Sequence, residues 1–247
     1  MIKFGTGGWR AIIADGFTKE NIRLLTAGLC ALMEKEGHAG TEICVGYNRR
    51  FLSKESAHWA CEVLAGYGFR PYVINRSSPT PLIMFTVKRR NMPYGMAVTA
   101  SHNPAIYNGI KVFNGQGYKL SDAVEARIEE KILSDAPMKH RTRERIGRRH
   151  HGMRQMKRDY IDFVASTIES DLSGLKILCD CANGAASATA PELFGRFKAH
   201  TDFIHRDPDG VNINNHCGST HLEDLAASVV RGGYDLGIAF DGDADRC

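Results

Sequence analysis

Short apolar runs of strand length alternate along this chain with segments of helical periodicity, and this alternation constrains the fold more than any other feature. Residues 41–46 and 71–74 are strand-like runs, and the segment between them, residues 53–65, has a helical pattern that Gly66 is expected to close. Strands that alternate with helices favour a layered α/β sheet. Such sheets bind ligands at the carboxyl ends of their strands, where residues 47–50 lie.

The same alternation extends through the rest of the chain. An amphipathic helix is expected to begin at residues 18–21, and Pro79 and Pro81 give the next helix a rigid start. The remaining expected elements are strands at residues 94–99, 108–111, 175–179 and 235–240, and helices at residues 121–133 and 160–168. Two series of strands, separated by a basic segment, predict two consecutive α/β domains.

Composition places the chain among soluble globular proteins. Its 247 residues are 43% hydrophobic and 24% charged, which allows one large or two ordinary domains. The N-terminus has no signal-peptide pattern and no apolar run reaches membrane-spanning length, so we expect a cytoplasmic protein without a membrane partner. Seven cysteines are scattered without the C-x-x-C spacing of a metal site, and we expect buried, reduced thiols.

The net charge of +4 comes from one basic segment. Residues 139–158 contain nine Lys/Arg and one acid, Glu144, so the rest of the chain carries a net charge of −4. A basic cluster can indicate nucleic-acid binding, but this one has no interleaved aromatic residues and no recognition motif. We therefore expect no nucleic-acid partner and interpret the segment as a solvated connection between domains. The alternative is a positive flank that steers phosphorylated sugars towards a cleft.

Ser101 lies in a short polar loop, Thr-Ala-Ser-His-Asn-Pro, that continues from the expected strand at residues 94–99. Asn103 and Pro104 favour a tight turn, because proline fixes its own φ and restricts the residue before it. A serine held at the end of a buried strand is suited to covalent catalysis, in which its hydroxyl carries a group between two half-reactions. An ordinary Ser/Asn turn is the alternative. His102 would point away from Ser101 in an extended segment, so we expect it to support the loop.

Three carboxylates, Asp241, Asp243 and Asp245, follow the last expected strand at alternate positions. Mg²⁺ prefers such ligands, and a phosphate on Ser101 would complete the set. An EF-hand is rejected because Arg246 stands where that loop needs glycine. A solvated acidic turn is the remaining alternative, although three close carboxylates repel one another unless a cation neutralises them.

A glycine-rich segment near the N-terminus has the composition of a phosphate loop. Gly5, Gly7 and Gly8 allow close backbone approach, so that amide groups can line an anion site. Arg10 adds a planar set of hydrogen-bond donors. Taken alone the signal is weak, because glycine-rich turns are common.

Lys111 follows Ser101 after a segment that we expect to reverse the chain direction. Residues 106–109 are expected to form a turn between two strands, which would return Lys111 towards the serine. Its ammonium group could then stabilise a transferring phosphoryl group or take part in proton transfer. A surface lysine is the alternative.

Four motifs in this order resemble those of the α-D-phosphohexomutase family, which contains phosphoglucomutase, phosphomannomutase and phosphoglucosamine mutase. The matching segments are residues 4–10, 99–104, 108–111 and 241–246. The resemblance implies an α/β fold of two consecutive three-layer α/β/α domains with mixed sheets. Domain 1 would span residues 1–138, the basic connection 139–158, and domain 2 residues 159–247, truncated at its metal loop. We expect the family's third and fourth domains to be absent.

The resemblance also implies a function. In the family a phosphorylated serine, here Ser101, donates its phosphoryl group to a hexose monophosphate, and the bisphosphate formed returns its other phosphoryl group. Mg²⁺ is the implied cofactor and hexose 1,6-bisphosphate the implied activator. The implied catalytic residues are Ser101, Arg10, Lys111 and His102; the implied phosphate-binding residues are Thr6, Gly7, Arg10, Asn103 and Arg246; and the implied metal ligands are Ser101, Asp241, Asp243 and Asp245.

The motifs leave the hexose open. Trp9 and Ala11 favour glucose or mannose phosphate and residues 217–220 favour glucosamine phosphate, so we expect a phosphoglucomutase/phosphomannomutase, with phosphoglucosamine mutase as the alternative. Asn48 stands where the family usually has aspartate. Little or no turnover is expected without the missing domains. Two other classes are a non-catalytic folded fragment and a Mg²⁺-dependent phosphatase, and an exposed edge of the second sheet predicts a homodimer.

Overall fold

A computed structural model describes residues 2–5, 7–133, 138–139 and 153–247 of the chain as two α/β units. The first unit contains β1 (Trp9–Ile12), α1 (Lys19–Lys35), β2 (Glu42–Tyr47), α2 (Ser53–Gly66), β3 (Arg70–Val73), α3 (Thr80–Arg89), β4 (Tyr94–Val98), β5 (Tyr107–Asn114) and α4 (Asp122–Ile132). The second contains α5 (Met153–Ala165), β6 (Lys176–Asp180), α6 (Ala190–Phe194), β7 (His200–Ile204), α7 (Glu223–Gly232) and β8 (Leu236–Ala239).

The first sheet is mixed and has helices on both faces. Its strand order is β1-β5-β4-β2-β3, with β5 antiparallel to both of its neighbours and β4, β2 and β3 mutually parallel. Ile43 and Val45 of β2 join the core under α1, α2 and α4, whereas Cys44 joins the core under α3. The alternation follows from the two-residue period of a strand and confirms three layers.

The second sheet has the order β7-β6-β8, and these three strands are parallel. Helix α7 packs on one face through Leu225 and Val229, and α6 packs on the other through Ala190 and Phe194. Strand β8 lies at a sheet edge, where Leu236 is 47% exposed. Self-association through this edge stays a prediction.

Several local expectations are corrected by the structure. Tyr107, Asn108 and Gly109 of the expected turn lie within β5, because they pair with β1, and the strand expected at residues 108–111 is confirmed. A Cβ on Gly109 would lie 2.3 Å from the Trp9 carbonyl oxygen. Gly66 is the last residue of α2, and the left-handed turn falls at Gly68, with φ of 86°.

Helix α5 begins inside the segment that we interpreted as a solvated connection. The expected helix at residues 160–168 is instead Met153–Ala165, so the last part of the basic segment is helical. Tyr160 and Phe163 pack against Phe85 of α3, with ring centroids 5.7 and 5.4 Å apart, and this contact fixes the helix on the first unit. Apart from residues 139 and 153–158, the predicted connection lies outside the described residues.

The cysteines are unpaired thiols, as expected. Six are buried, and Cys247 is exposed, contrary to the expectation that all would be buried. Burial raises the pKa of Cys179 and Cys181 to about 12, which suppresses their thiolate forms. Across the described ranges, every helix is too short or too polar to cross a membrane.

Candidate active site

Ser101 is buried between two charged side chains. It follows β4 with a left-handed backbone, φ of 53°, and only 1% of its surface is exposed. Its Oγ donates to Asp241 Oδ2 at 2.7 Å and accepts from Arg246 Nη2 at 2.6 Å. The loop therefore places the hydroxyl under Arg246, where an incoming group would meet a cation first.

Arg50 fixes the loop that carries Ser101. This arginine follows β2, which is parallel to β4, so both strands end at the same edge of the sheet. It is 3% exposed, and burial lowers its pKa to about 10. Its guanidinium donates to the carbonyl oxygens of Ser101 at 2.8 Å, Asn103 at 2.5 Å, Pro104 at 2.8 Å and Tyr107 at 3.0 Å. Sequence reasoning missed this residue; its position directly after a strand was the available signal.

Asn214 of the second unit holds the same loop. Its Nδ2 donates to the carbonyl oxygens of Ser101 at 2.9 Å and Asn103 at 3.2 Å. No local pattern indicated this contact, because it depends on how the two units dock. The serine loop is therefore restrained from both sides of the boundary between the units.

The three aspartates lie together opposite the serine loop. Their carboxylate oxygens fall within 4.8 Å of one another, and Asp241 and Asp243 are fully buried. Oδ2 of Asp243 accepts from Thr80 and Thr99, each at 3.1 Å. Oδ1 of Asp243 is buried and has no hydrogen-bond partner among the described residues. A buried carboxylate oxygen without a partner, beside two further carboxylates, fits a hard cation such as Mg²⁺.

The ammonium group of Lys111 contacts two carboxylates of the aspartate loop and does not contact Ser101. Its Nζ is 2.8 Å from Asp243 Oδ2 and 2.8 Å from Asp245 Oδ2. Burial alone would lower the pKa of Lys111, but the two carboxylates outweigh it and raise the pKa above its ordinary value. Lys111 therefore stays charged, which suits charge stabilisation and excludes a role as a general base in this state.

Two of the carboxyl groups have pKa values displaced in opposite directions. Burial, followed by the charge of Asp243, raises the pKa of Asp241 to about 7. The pKa of Asp243 is lowered because Lys111 outweighs the effect of burial. Close carboxylates cannot all ionise without a compensating charge, so Asp241 is the one that takes up a proton first as the pH falls.

We expected an extended segment in which His102 points away from Ser101. That expectation is wrong, because the backbone at Ser101 is left-handed. Its Nδ1 lies 2.5 Å from Arg246 Nη2, the same nitrogen that donates to Ser101. Burial and then the Arg246 charge lower the pKa of His102, so its ring is neutral and accepts from the arginine. His102 orients Arg246.

The N-terminal loop reaches the site through Arg10. Strand β1 pairs with β5 so that Arg10 lies opposite Gly109, and Arg10 Nη1 donates to Asn103 Oδ1 at 2.6 Å. Gly8 has φ of 112°, and a Cβ there would lie 2.5 Å from the Ile110 carbonyl oxygen. Gly7 also has positive φ, at 90°, whereas Thr6 lies outside the described residues.

Asn48, which stands where the family usually has a charged aspartate, has a structural role. It is 3% exposed and donates to Thr99 Oγ1 at 2.9 Å. Its Oδ1 accepts from the Arg50 amide and from Ser53 Oγ, each at 3.0 Å. The side chain therefore joins the two strand ends that carry Arg50 and the serine loop.

The fold and this geometry define a class: an α/β protein whose polar loops meet at the carboxyl ends of parallel strands in two adjoining sheets. Two family models match it, phosphoglucomutase/phosphomannomutase alpha/beta/alpha domain I over residues 1–138 and domain II over residues 158–247. The chain therefore belongs to the phosphoglucomutase/phosphomannomutase family of α-D-phosphohexomutases.

Individual relatives agree with this assignment. A curated phosphoglucosamine mutase of Clostridium kluyveri is 46% identical over 245 residues, which are 99% of this chain and 54% of that protein. The crystal structure of a candidate phosphomannomutase from Thermus thermophilus superposes with a TM-score of 0.86 at 24% identity, covering 99% of this chain and 56% of the other. N-acetylphosphoglucosamine mutase of Aspergillus fumigatus, solved with GlcNAc-6P and magnesium, has a TM-score of 0.51 at 14% identity, covering 100% and 49%. The chain spans about half the length of the curated relatives it matches.

Proposed function

We propose that this chain supplies the phosphoryl-carrying site of a phosphohexomutase, which interconverts hexose 1-phosphate and hexose 6-phosphate through a phosphorylated Ser101. The observation that carries the proposal is the position of Ser101 Oγ between Asp241 at 2.7 Å and Arg246 at 2.6 Å. A nucleophile, a proton acceptor and a cation are thereby within reach of one phosphoryl group.

The other side chains take roles that follow from their contacts. Arg246 stabilises charge on the phosphoryl group, and His102 orients it. Lys111, kept charged by its carboxylates, adds positive charge to the same site. The phosphate-binding residues would be Thr6, Gly7, Arg10, Asn103 and Arg246, of which Arg10 and Asn103 contact each other.

Mg²⁺ is the proposed cofactor, held by Asp241, Asp243, Asp245 and the phosphate on Ser101. The unpaired Asp243 oxygen supports this set, as does the magnesium in the Aspergillus relative. When bound, the ion would neutralise charge on the phosphoryl group during transfer. Lys111 would then share Asp243 and Asp245, which it contacts at 2.8 Å each, with the ion.

Mg²⁺ affinity is expected to fall as the pH drops below about 7, because Asp241, whose pKa is raised to about 7, must lose a proton to become a ligand. Above that pH the affinity should level off. Isothermal titration in buffers of different ionisation enthalpy would count the proton released. An affinity that does not change between about pH 6 and pH 8 would contradict this prediction.

The curated relatives favour glucosamine phosphate over the glucose or mannose phosphate that we first expected, because they are named phosphoglucosamine mutases. Within residues 217–220, Cys217 is buried and the Gly218 amide donates to Asp180 at 2.7 Å, so these two residues hold the segment on the second unit. We further propose domain boundaries of 1–138 and 159–247, and little turnover by this chain alone. A folded fragment without chemistry is the second candidate.

Intact mass spectrometry tests the proposal. After incubation with glucose 1,6-bisphosphate or glucosamine 1,6-bisphosphate and Mg²⁺, the chain should gain about 80 Da, mapped to Ser101. Ser101→Ala should gain nothing, and Ser121→Ala should behave like the parent chain. A folded parent chain that gains no mass, or a gain retained by Ser101→Ala, would favour the fragment without chemistry.

A further inference from the structure

A second polar cavity lies between the two units, away from Ser101. Its volume is about 1210 Å³, and its walls come from the segments after β2 and β3 in the first unit and from α5 and residues 188–192 and 208–210 in the second. A main-chain hydrogen bond of 2.9 Å from Phe51 to Gly210 closes one side. Asn48 and Arg50, which hold the serine loop from behind, lie in its wall, but none of the residues that contact Ser101 Oγ lines it.

The cavity wall carries an excess of positive charge. Five of its cations lack a carboxylate partner within the described part of the chain: Arg49, Lys54, Arg76, Arg154 and Arg158. Three acids line the cavity: Glu192 is paired with Lys157 at 2.7 Å, Asp209 Oδ1 accepts two main-chain amides at 2.8 Å, and Glu55 is exposed. The lining cations still outnumber these acids. The helical period places Arg154, Lys157 and Arg158 on one side of α5, which faces the cavity.

Arg49 shows most clearly that this charge is uncompensated. Its side chain is partly buried, and its Nε is enclosed without a hydrogen-bond partner among the residues described. Burial lowers the pKa of Arg49 because no carboxylate offsets the loss of solvent. Arginine in such a position offers a planar set of donors that matches phosphate oxygens.

We propose that this cavity is a second anion site, separate from the Ser101 site, and that it binds a small molecule with two or more adjacent phosphate groups. The first unit contributes Arg49 and Arg76, and α5 contributes Arg154 and Arg158, so a ligand with several phosphate groups can engage cations from both units. A polyphosphate would bridge the walls and hold the two units together. The proposal does not depend on the chemistry at Ser101.

Isothermal titration with inorganic tripolyphosphate in Mg²⁺-free buffer is the direct test, with ATP in a second arm to show whether a nucleoside adds affinity. The double variant Arg154→Gln/Arg158→Gln is expected to bind tripolyphosphate at least roughly tenfold more weakly than the parent chain. Both arginines are exposed, so the substitutions should leave the fold intact, which a thermal melt would check. Arg70→Gln/Arg89→Gln, which removes two exposed arginines outside the cavity, is the matched control and should bind normally.

A third variant separates this cavity from the Ser101 site. Arg246→Gln should retain tripolyphosphate binding, because Arg246 does not line the cavity. Binding that is lost in Arg246→Gln and retained in Arg154→Gln/Arg158→Gln would place the anion beside Ser101 and overturn the proposal. Absence of binding to the parent chain, or equal losses in the cavity and control variants, would overturn it as well.

Discussion

Replacing Lys111 with methionine is expected to lower the free energy of unfolding by about 3–5 kcal/mol in Mg²⁺-free buffer. Lys111 Nζ contacts Asp243 and Asp245 at 2.8 Å each, and Asp243 is fully buried. Removing the cation leaves a buried carboxylate without a compensating charge. Urea denaturation at neutral pH would measure the loss, which should shrink in mildly acidic buffer as Asp243 takes up a proton.

Two comparisons check this explanation of the Lys111 effect. Lys119→Met removes a lysine whose side chain is 42% exposed and should change stability by less than about 0.5 kcal/mol. Adding Asp243→Asn to Lys111→Met should restore part of the loss, because the uncompensated charge is gone. Mg²⁺ should stabilise Lys111→Met more than the parent chain. Equal losses in the single and double variants would show that packing, not charge, explains the effect.

Gly242→Ala is expected to slow phosphoryl transfer to Ser101 by about 100-fold, since a displacement near 1 Å costs that much. The added methyl group would lie 2.6 Å from the Ser101 carbonyl oxygen and 2.9 Å from Asn214 Nδ2. The aspartate loop has no room to retreat, because the Gly242 carbonyl oxygen accepts from the Ala185 amide at 3.0 Å on its other side. Time-resolved intact mass spectrometry would measure the rate.

The control for Gly242→Ala is Gly195→Ala, which follows the short helix α6. Gly195 already has helical φ of −64°, and an added Cβ would meet only the carbonyl oxygens of Pro191, at 3.2 Å, and Glu192, at 3.6 Å. Its rate should match that of the parent chain. A parent-like rate in Gly242→Ala would mean that the close approach of the two loops is not needed for transfer.

Much of the fold follows from the sequence because buried strands and amphipathic helices leave strong local periodicities. Strands β2 and β4 and helix α4 begin and end within about two residues of where the pattern placed them, and α1 begins within the predicted residues 18–21. The misplaced elements depend on distant packing. Residues 106–109 were predicted to form a turn, yet pairing with β1 makes Tyr107, Asn108 and Gly109 part of β5. The start of α5 was misplaced because it lies in the basic segment, which we interpreted as a solvated connection. The helix is stabilised by the contact of Tyr160 with Phe85 of the other unit.

For the candidate site, local motifs identified the candidate nucleophile and metal ligands, but they did not identify the side chains that hold the serine loop in place. Ser101 and the three aspartates stand in short runs whose composition indicates their use. Arg50 and Asn214 donate to main-chain oxygens, which every sequence has, so no motif marks them; only the position of Arg50 directly after a strand was a signal. The actual contacts of Lys111 were equally hidden, because Asp243 lies 132 positions further along the chain.

The restraints on the serine loop have a consequence for any group that binds to the Ser101 hydroxyl. Arg50 and Asn214 bind carbonyl oxygens of the loop, and neither touches the hydroxyl of Ser101. Under the proposed function, a phosphoryl group could therefore bind to that oxygen and leave it without breaking the hydrogen bonds that position the loop. The position of the serine main chain would then be the same before and after each transfer.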